Sequence, residues 1–318
     1  MRSTSLDKAR KVALGSNSRR GIVPSAVTYI VLISLGFAYM LPLFNIMVQS
    51  IMTISDVVDP MVVWVPTRLY FGHFRDAWAV LDYPQALYVM LVMAVIPAVL
   101  QTISTALAGY AFARYDFPLK RLWVVLLVLV YLVPAQVLLL PRFLMFLEMG
   151  IHVRPPWPTY LPAIFGQGLR SSIFVMIFYQ FFSSYPKSLD EAAEIDGCGR
   201  FKLFGIIAVP MVKPAIVISI LFSVVWYWNE TTQFGQLYHT LREHRLLGVT
   251  LPHLRSLPIR VIMFQERFDQ LHHGTAAQLV DSVTLAGTLL SMLPIIILYL
   301  ILQRHFVESV ERSGITGE

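Results

Sequence analysis

Residues able to do chemistry are few in this chain, and their positions exclude more than they allow. None of the six lysines (8, 11, 120, 187, 202 and 213) follows a glycine. A phosphate-cradling P-loop needs that Gly-Lys step, so nucleotide hydrolysis of that kind is excluded. None of the nineteen acidic residues lies deep in an apolar segment; Glu230 and Asp281 sit at segment ends. A proton-coupled carrier usually needs a carboxylate there. None of the eight histidines is deep either, so an intramembrane protease lacks its base and a membrane metalloenzyme its ligand. His272-His273 is adjacent rather than helically spaced and reads as a loop feature, not a metal site. The single cysteine, Cys198, builds no disulfide or zinc framework.

One cluster of polar residues has a defined spacing. Asp190-Glu191-Ala192-Ala193-Glu194-Ile195-Asp196-Gly197, followed by Ile207-Ala208-Val209-Pro210, is a polar island between two strongly apolar stretches. Pro186 ends the preceding segment, because the residue before a proline avoids helix. Ser188 is expected to cap a new helix, with Glu191 as its reciprocal partner. Asp190 and Glu191 fall in a first turn that favours anions, and Gly197 supplies a left-handed stop. Phe201 to Val209 is expected to form a second short helix before Pro210. A stiff helix with a small Ala192/Ala193 face suits recognition by a groove rather than catalysis.

The elements that position this island are apolar. Hydrophobic residues make up 56% of the 318 and charged residues 14%, against about 45–50% and about 25% in soluble domains. Mean hydropathy is +0.64. The fold class expected is all-α integral membrane, with about six transmembrane helices. They lie near residues 26–48, 88–112, 122–144, 161–182, 214–228 and 282–302, and the fifth is the shortest. Pro42, Pro97, Pro134 and Pro294 fall within them, as membrane helices tolerate. Fifteen basic residues collect on the side of the polar island, nine on the other, and Arg170 falls inside a span. Both termini and the island are therefore expected on the cytoplasmic side. That asymmetry accounts for the net charge of +6 without nucleic acid. Residues 1–22 read as a basic cytoplasmic tail on the anionic leaflet, with the first span retained and not cleaved. Residues 23–307 read as the transmembrane domain and 308–318 as a cytoplasmic tail. A polar loop of about 186–213 and a long outer loop of about 231–280 complete the expected layout.

The Glu-Ala-Ala, Gly, Ile-x-Val-Pro spacing resembles the cytoplasmic signature loop of permease subunits of binding-protein-dependent ABC importers. Gln180-Phe181-Phe182-Ser183-Ser184-Tyr185-Pro186 and Pro210-Met211-Val212-Lys213-Pro214-Ala215 around it are similar to the carbohydrate-uptake, MalG-type branch. So are Ala111-Phe112-Ala113-Arg114 with Phe117, Trp228-Asn229-Glu230 and Gln303-Arg304-His305-Phe306-Val307. Val209 stands where leucine is usual, Cys198-Gly199 where Ala-Ser is usual, and the segment 231–280 is long for that branch. The resemblance implies a type I ABC importer permease fold with cytoplasmic coupling helices, in a bacterial or archaeal cytoplasmic membrane. It implies as partners a paralogous permease subunit, two ABC ATPase subunits and an extracytoplasmic solute-binding protein. No cofactor is expected on this chain; ATP and Mg belong to the ATPase. Glu191, Ala192, Ala193, Asp196, Gly197, Ile207 and Pro210 are implied as the ATPase-coupling residues, and no catalytic or metal-binding residue is implied. The function implied is import of a sugar or oligosaccharide by alternating access. The alternatives are a polyol, a sugar-phosphate ester or an acidic oligosaccharide as cargo, or a motor-free channel or secondary carrier.

A substrate path would need polar groups inside the spans. Gln167 and Arg170, three apart in the fourth span, share a helical face, or else lie in a re-entrant stretch broken by Gly166 and Gly168. Trp226, Trp228 and Asn229 either stack on and bond to a sugar ring or form an interfacial aromatic belt. Asn45 and Gln49, at the outer end of the first span, are the remaining candidates. In the outer loop, Arg242, Arg245, Arg255, Arg260 and Arg267 are expected to help dock the binding protein.

Overall fold

A computed structural model describes residues 15–16, 19–151, 154–238, 244–246, 249–251, 255–271 and 277–315. Two compact units divide the chain: Met1–Ala77 with Gly274–Leu289, and Trp78–His273 with Leu290–Glu318. Helices dominate both. Two short antiparallel ladders, β1 (Gly15–Ser16) with β2 (Arg19–Arg20) and β3 (His244–Leu246) with β4 (Val249–Leu251), are the strands among the described residues.

The first unit begins with α1 (Ile22–Gln49), on which no residue is buried. Its Val, Ile, Leu, Phe and Tyr side chains are solvent-free only if lipid covers them, because an apolar surface of this length is stable against hydrocarbon. A capping box between Thr53 and Asp56 then opens the short α2 (Ile54–Val58). The Thr67 hydroxyl and N–H also donate to Asp56 and hold its carboxyl below the usual carboxylate range. Buried His73 pairs through Nε2 with the Met52 carbonyl at 2.9 Å, at the head of α3 (Gly72–Leu81).

The second unit is built around α4 (Tyr83–Arg114), whose buried residues cover most of its circumference. Against it pack α7 (Trp157–Ile164), α8 (Ser171–Ser184) and α11 (Lys213–Trp228). Phe174, Phe178 and Phe182, one face of α8, are fully buried. Between them in sequence come α5 (Lys120–Leu132) and α6 (Leu139–Glu148), then α9 (Ser188–Ile195) and α10 (Arg200–Met211). After α11 follow α12 (Thr232–Tyr238), α13 (Leu257–Ile262) and α14 (Phe264–Leu271); α15 (Ala277–Ile315) closes the chain.

The six expected spans are not six uninterrupted helices. Three are continuous and long enough to cross a bilayer: Ile22–Gln49, Tyr83–Arg114 and Val280–Arg304. The third span breaks between α5 and α6, where Pro134 forces Val133 into extended backbone. The fourth breaks at residues 165–170 between α7 and α8. The fifth is α11, bent 82° from α10 at Val212.

The long outer loop needs one correction. Arg260 is not a free surface charge. It is 4% exposed and donates through Nη1 to the Leu81 carbonyl at 2.6 Å, with the Asp82 carboxylate 3.3 Å away. Burial pulls its pKa below the ordinary guanidinium value. Its ion pair and backbone acceptor tie α13 to the start of α4, which is what a buried guanidinium needs. Arg255 and Arg267 remain partly exposed. Arg242 and His272-His273 lie outside the described residues, and the side chain of Arg245 lies outside them too.

Candidate functional site

The polar island folds as a helical pair seated on aromatic side chains. Tyr110, Phe178, Phe182, Tyr185, Ala193, Leu203 and Ala208 form one buried cluster, with Ile207 and Cys198 packed against it. The Tyr110 ring lies 5.1–5.8 Å from the rings of Phe204, Phe182 and Tyr115. Arg114, at the last turn of α4, fixes α9 from the side. Its Nε is 3.2 Å from the Asp190 carboxylate, and one Nη donates to the Tyr185 carbonyl at 2.8 Å. The guanidinium also lies 3.6 Å from the centroid of the Tyr185 ring. Burial, then the hydrogen bond to Asp190, push the Tyr185 phenol up to about 12, so it stays neutral and donates to Asp190 at 2.9 Å.

The start of α9 departs from the expected capping box. Lys187 holds the cap position in helical backbone (φ −63°, ψ −27°), and Ser188 is already the first helical residue. A capping side chain needs an extended cap residue to reach back to the helix amides, so Ser188 and Glu191 do not pair. The end of α9 is as expected. Gly197 has φ +75°, its N–H bonds to the Glu194 carbonyl, and Cys198 N–H reaches Ala193. This six-to-one and five-to-two pair is a Schellman closure. Nor does α10 stop before Pro210. A π turn at Phe204–Ala208 sends the Val209 N–H to the Phe204 carbonyl, five residues back. That wider turn lets the helix accept the ring and missing donor of Pro210.

The structure separates the seven residues of this loop into two groups. Glu191, Ala192, Asp196, Gly197 and Pro210 are exposed. Ala193 is buried and Ile207 half-buried, both facing the aromatic cluster. The small Ala192/Ala193 face is therefore split, one alanine out and one in. Three apolar side chains stand out beside the exposed group: Ile195 (86% exposed), Phe201 (88%) and Ile206 (62%). The sequence signal for Ile195 and Phe201 was that each interrupts a polar run; Ile206 lies in an apolar run and gave none.

A second site opens at the interrupted fourth span. Residues 165–170 leave the helix, and their backbone is paired from the sides. Gln101 Nε2 donates to the Leu169 carbonyl at 2.8 Å, Tyr227 OH donates to Gln101 Oε1 at 2.8 Å, and Leu169 N–H donates to Tyr227 OH at 3.3 Å. Ser104 Oγ donates to the Ala163 carbonyl at 2.7 Å. Irregular backbone at membrane depth is stable only when satisfied in this way. Gly168 is required here: a Cβ would overlap the Gln101 amide oxygen and the Tyr227 hydroxyl. The break faces a cavity of about 660 Å³, between the 130–142 stretch of the third span and the end of α11.

Gln167, Arg170, Trp226 and Asn229 all line this cavity. Arg170 takes a left-handed backbone (φ +53°) as the residue before α8, and its guanidinium lies 5.0 Å from the Trp226 ring centroid. Trp228 is different. It is 4% exposed and its indole donates to the Ser291 carbonyl on α15 at 3.3 Å, so it is an internal tie and not a cavity wall. Asn45 and Gln49 belong to the other compact unit, on the last turns of α1. Sequence reading missed Arg142, Ser171, Glu230 and Gln233, which also line the cavity. Arg142 is one of the nine basic residues expected on the outer side; Pro134, which interrupts the third span, was the available signal. Among the described residues, no group of His, Cys, Asp or Glu is placed to hold a metal ion.

Comparison with known proteins places the chain in a family. Residues 105–312 match the family described as the binding-protein-dependent transport system inner membrane component. The chain is similar to the melibiose/raffinose/stachyose import permease protein MelC of Bacillus subtilis, 25% identical over 88% of this chain and 92% of that protein. It is also similar to the maltodextrin transport system permease protein MalD of Streptococcus pneumoniae, 27% identical over 92% and 95%. The fold matches, with a TM-score of 0.69 and 17% identity, a chain from a bacterial ABC transporter involved in the import of the acidic polysaccharide alginate. That match covers 92% of this chain and 98% of the other.

Proposed function

This chain belongs to the binding-protein-dependent transport system inner membrane component family, and from that premise we propose that it carries a sugar or oligosaccharide across the membrane. It is a multi-pass transport permease subunit. The sugar reading is supported by the relatives MelC and MalD, whose names specify oligosaccharides. Energy comes from a separate ATPase pair that binds ATP and Mg. A paralogous permease completes the path, and an extracytoplasmic binding protein delivers the cargo.

The observation that carries the coupling assignment is the exposed group on α9 and α10, held on a buried aromatic cluster and by the Arg114–Asp190 pair. A rigid, outward-facing helix of this kind transmits a push without absorbing it. Glu191, Ala192, Asp196, Gly197 and Pro210, with Ile195 and Phe201, would meet the groove of the ATPase, while Ala193 and Ile207 carry the load inward. ATPase closure would draw these loops together and open the cavity outward; hydrolysis would reset it.

The test is sugar uptake by the complete importer in proteoliposomes, with oligosaccharides of the raffinose and maltodextrin types as cargo. Gly197→Asp is expected to abolish ATP-driven uptake while the complex still assembles. Wild-type uptake by that variant would sink the coupling assignment. With an acidic oligosaccharide and a sugar phosphate added to the panel, uptake of no sugar by the wild-type importer, charged or neutral, would sink the sugar reading.

A further inference from the structure

The cavity beside the broken fourth span has a charge that a neutral sugar does not explain. Two guanidiniums, Arg142 and Arg170, line it, against one carboxylate, Glu230. Glu230 already accepts the Gln233 N–H at 2.8 Å at the start of α12. The first turn of α8, a helix of 14 residues, also faces the cavity with Ser171 and Ser172. Its positive dipole end adds to the two cations. Cations within a membrane-spanning segment are costly, and mark a binding function or a partner.

We propose that this cavity binds an anionic substituent, a carboxylate or a phosphate, carried by the transported sugar. Arg170 is the central contact. Its side chain rests against Trp226, so the guanidinium is pre-oriented and loses less freedom on binding. The Trp226 ring offers an apolar surface for the sugar beside the charge. Arg142, whose Nη2 reaches the Gln167 carbonyl at 3.5 Å, lines the same cavity and brings a second cation to it. The head of α8 turns its positive dipole end toward the anion's remaining oxygens. A phosphate monoester and a uronate share this chemistry. The inference rests on the sugar-import reading and narrows it.

The purified importer complex, without its binding protein, tests the assignment by calorimetric titration. Three probes are used: a galacturonate oligomer, a hexose 6-phosphate and neutral maltotriose. One of the two anionic probes is expected to bind roughly tenfold or more tighter than maltotriose. Which of the two it is distinguishes carboxylate from phosphate. That preference should weaken as salt rises. It should vanish in Arg170→Gln and return partly in Arg170→Lys, which keeps the charge and loses the planar fork. Maltotriose binding at least as tightly as both anions would overturn the proposal while leaving sugar import intact. So would anion preference unchanged in Arg170→Gln. A third overturning result is loss of complex assembly in Arg170→Gln with normal anion preference in the complex that remains, which would make Arg170 a partner to a carboxylate of the second permease. Binding of none of the three probes also defeats it.

Discussion

Arg114 shows how one residue can set the stiffness of a surface it does not belong to. It ends α4, yet its guanidinium is shared by Asp190, the Tyr185 carbonyl and the Tyr185 ring. Its side chain is 5% exposed and that of Asp190 15%. Removing one member of a buried pair strands the other, with a loss of about 3–5 kcal/mol. Arg114→Ala is therefore expected to lower thermal stability and uncouple ATP hydrolysis from uptake, measured as ATPase rate against transported sugar. Asp190→Asn keeps an acceptor for the Tyr185 hydroxyl and should be the milder change. Gly197 makes a separate point. Nothing lies within 4 Å of a Cβ placed there, so Gly197→Ala meets only the left-handed backbone. The expected loss is about 1–2 kcal/mol in α9. A larger effect on uptake than on stability would locate that residue's role outside the chain's own fold.

At the scale of elements, two breaks in otherwise apolar segments decide what the helices can do. The stretch 165–170 depends on Gln101 and Tyr227, buried polar residues on neighbouring helices. Gln101→Leu would take the donor from the Leu169 carbonyl and the acceptor from the Tyr227 hydroxyl, which keeps only the Leu169 N–H, at a cost of about 1–3 kcal/mol for each lost bond. A fall in melting temperature together with altered sugar affinity is the expected outcome. Gly168→Ala should do the same by steric overlap. The outer segment behaves differently on its two arginines. Arg260→Glu would place a carboxylate beside Asp82 and two backbone carbonyls, and misfolding with poor expression is expected. Arg255→Glu, on a partly exposed residue, should fold. If this loop docks the binding protein, Arg255→Glu lowers stimulated ATP hydrolysis at low salt and leaves the basal rate alone.

For the whole molecule, three continuous apolar helices and several interrupted ones form a multi-pass permease whose cavity-lining groups come from three different spans. A cytoplasmic placement of both termini is the expectation that the basic asymmetry carries. Reporter fusions at residue 20 and residue 318 should both register as cytoplasmic, and an outer signal at either would mean a re-entrant stretch has been counted as a crossing. The interrupted third and fourth spans are the segments at issue, since α5 and α6 have only 13 and 10 residues and α7 and α8 only 8 and 14, each about 12–21 Å of helix.

The sequence by itself determined the class, the apolar segments, the polar island and its glycine stop. Those depend on local composition and on spacing along one chain, where hydropathy and turn preference act directly. Only the tertiary structure decided which face of each element is used. Ala192 and Ala193 are adjacent and chemically identical, yet one is exposed and the other packs on Phe182 and Leu203, a difference set by a helix axis that Arg114 and Tyr185 fix from elsewhere. Trp226 and Trp228 are two residues apart on one helix, but about 200° of helical rotation sends one to the cavity and the other to Ser291. Arg260 and Arg255 read alike as loop charges until Leu81 and Asp82, almost 180 residues away, are seen to claim one of them. In each case the deciding partner is distant in sequence, and a buried charge or hydroxyl takes its role from the group that satisfies it.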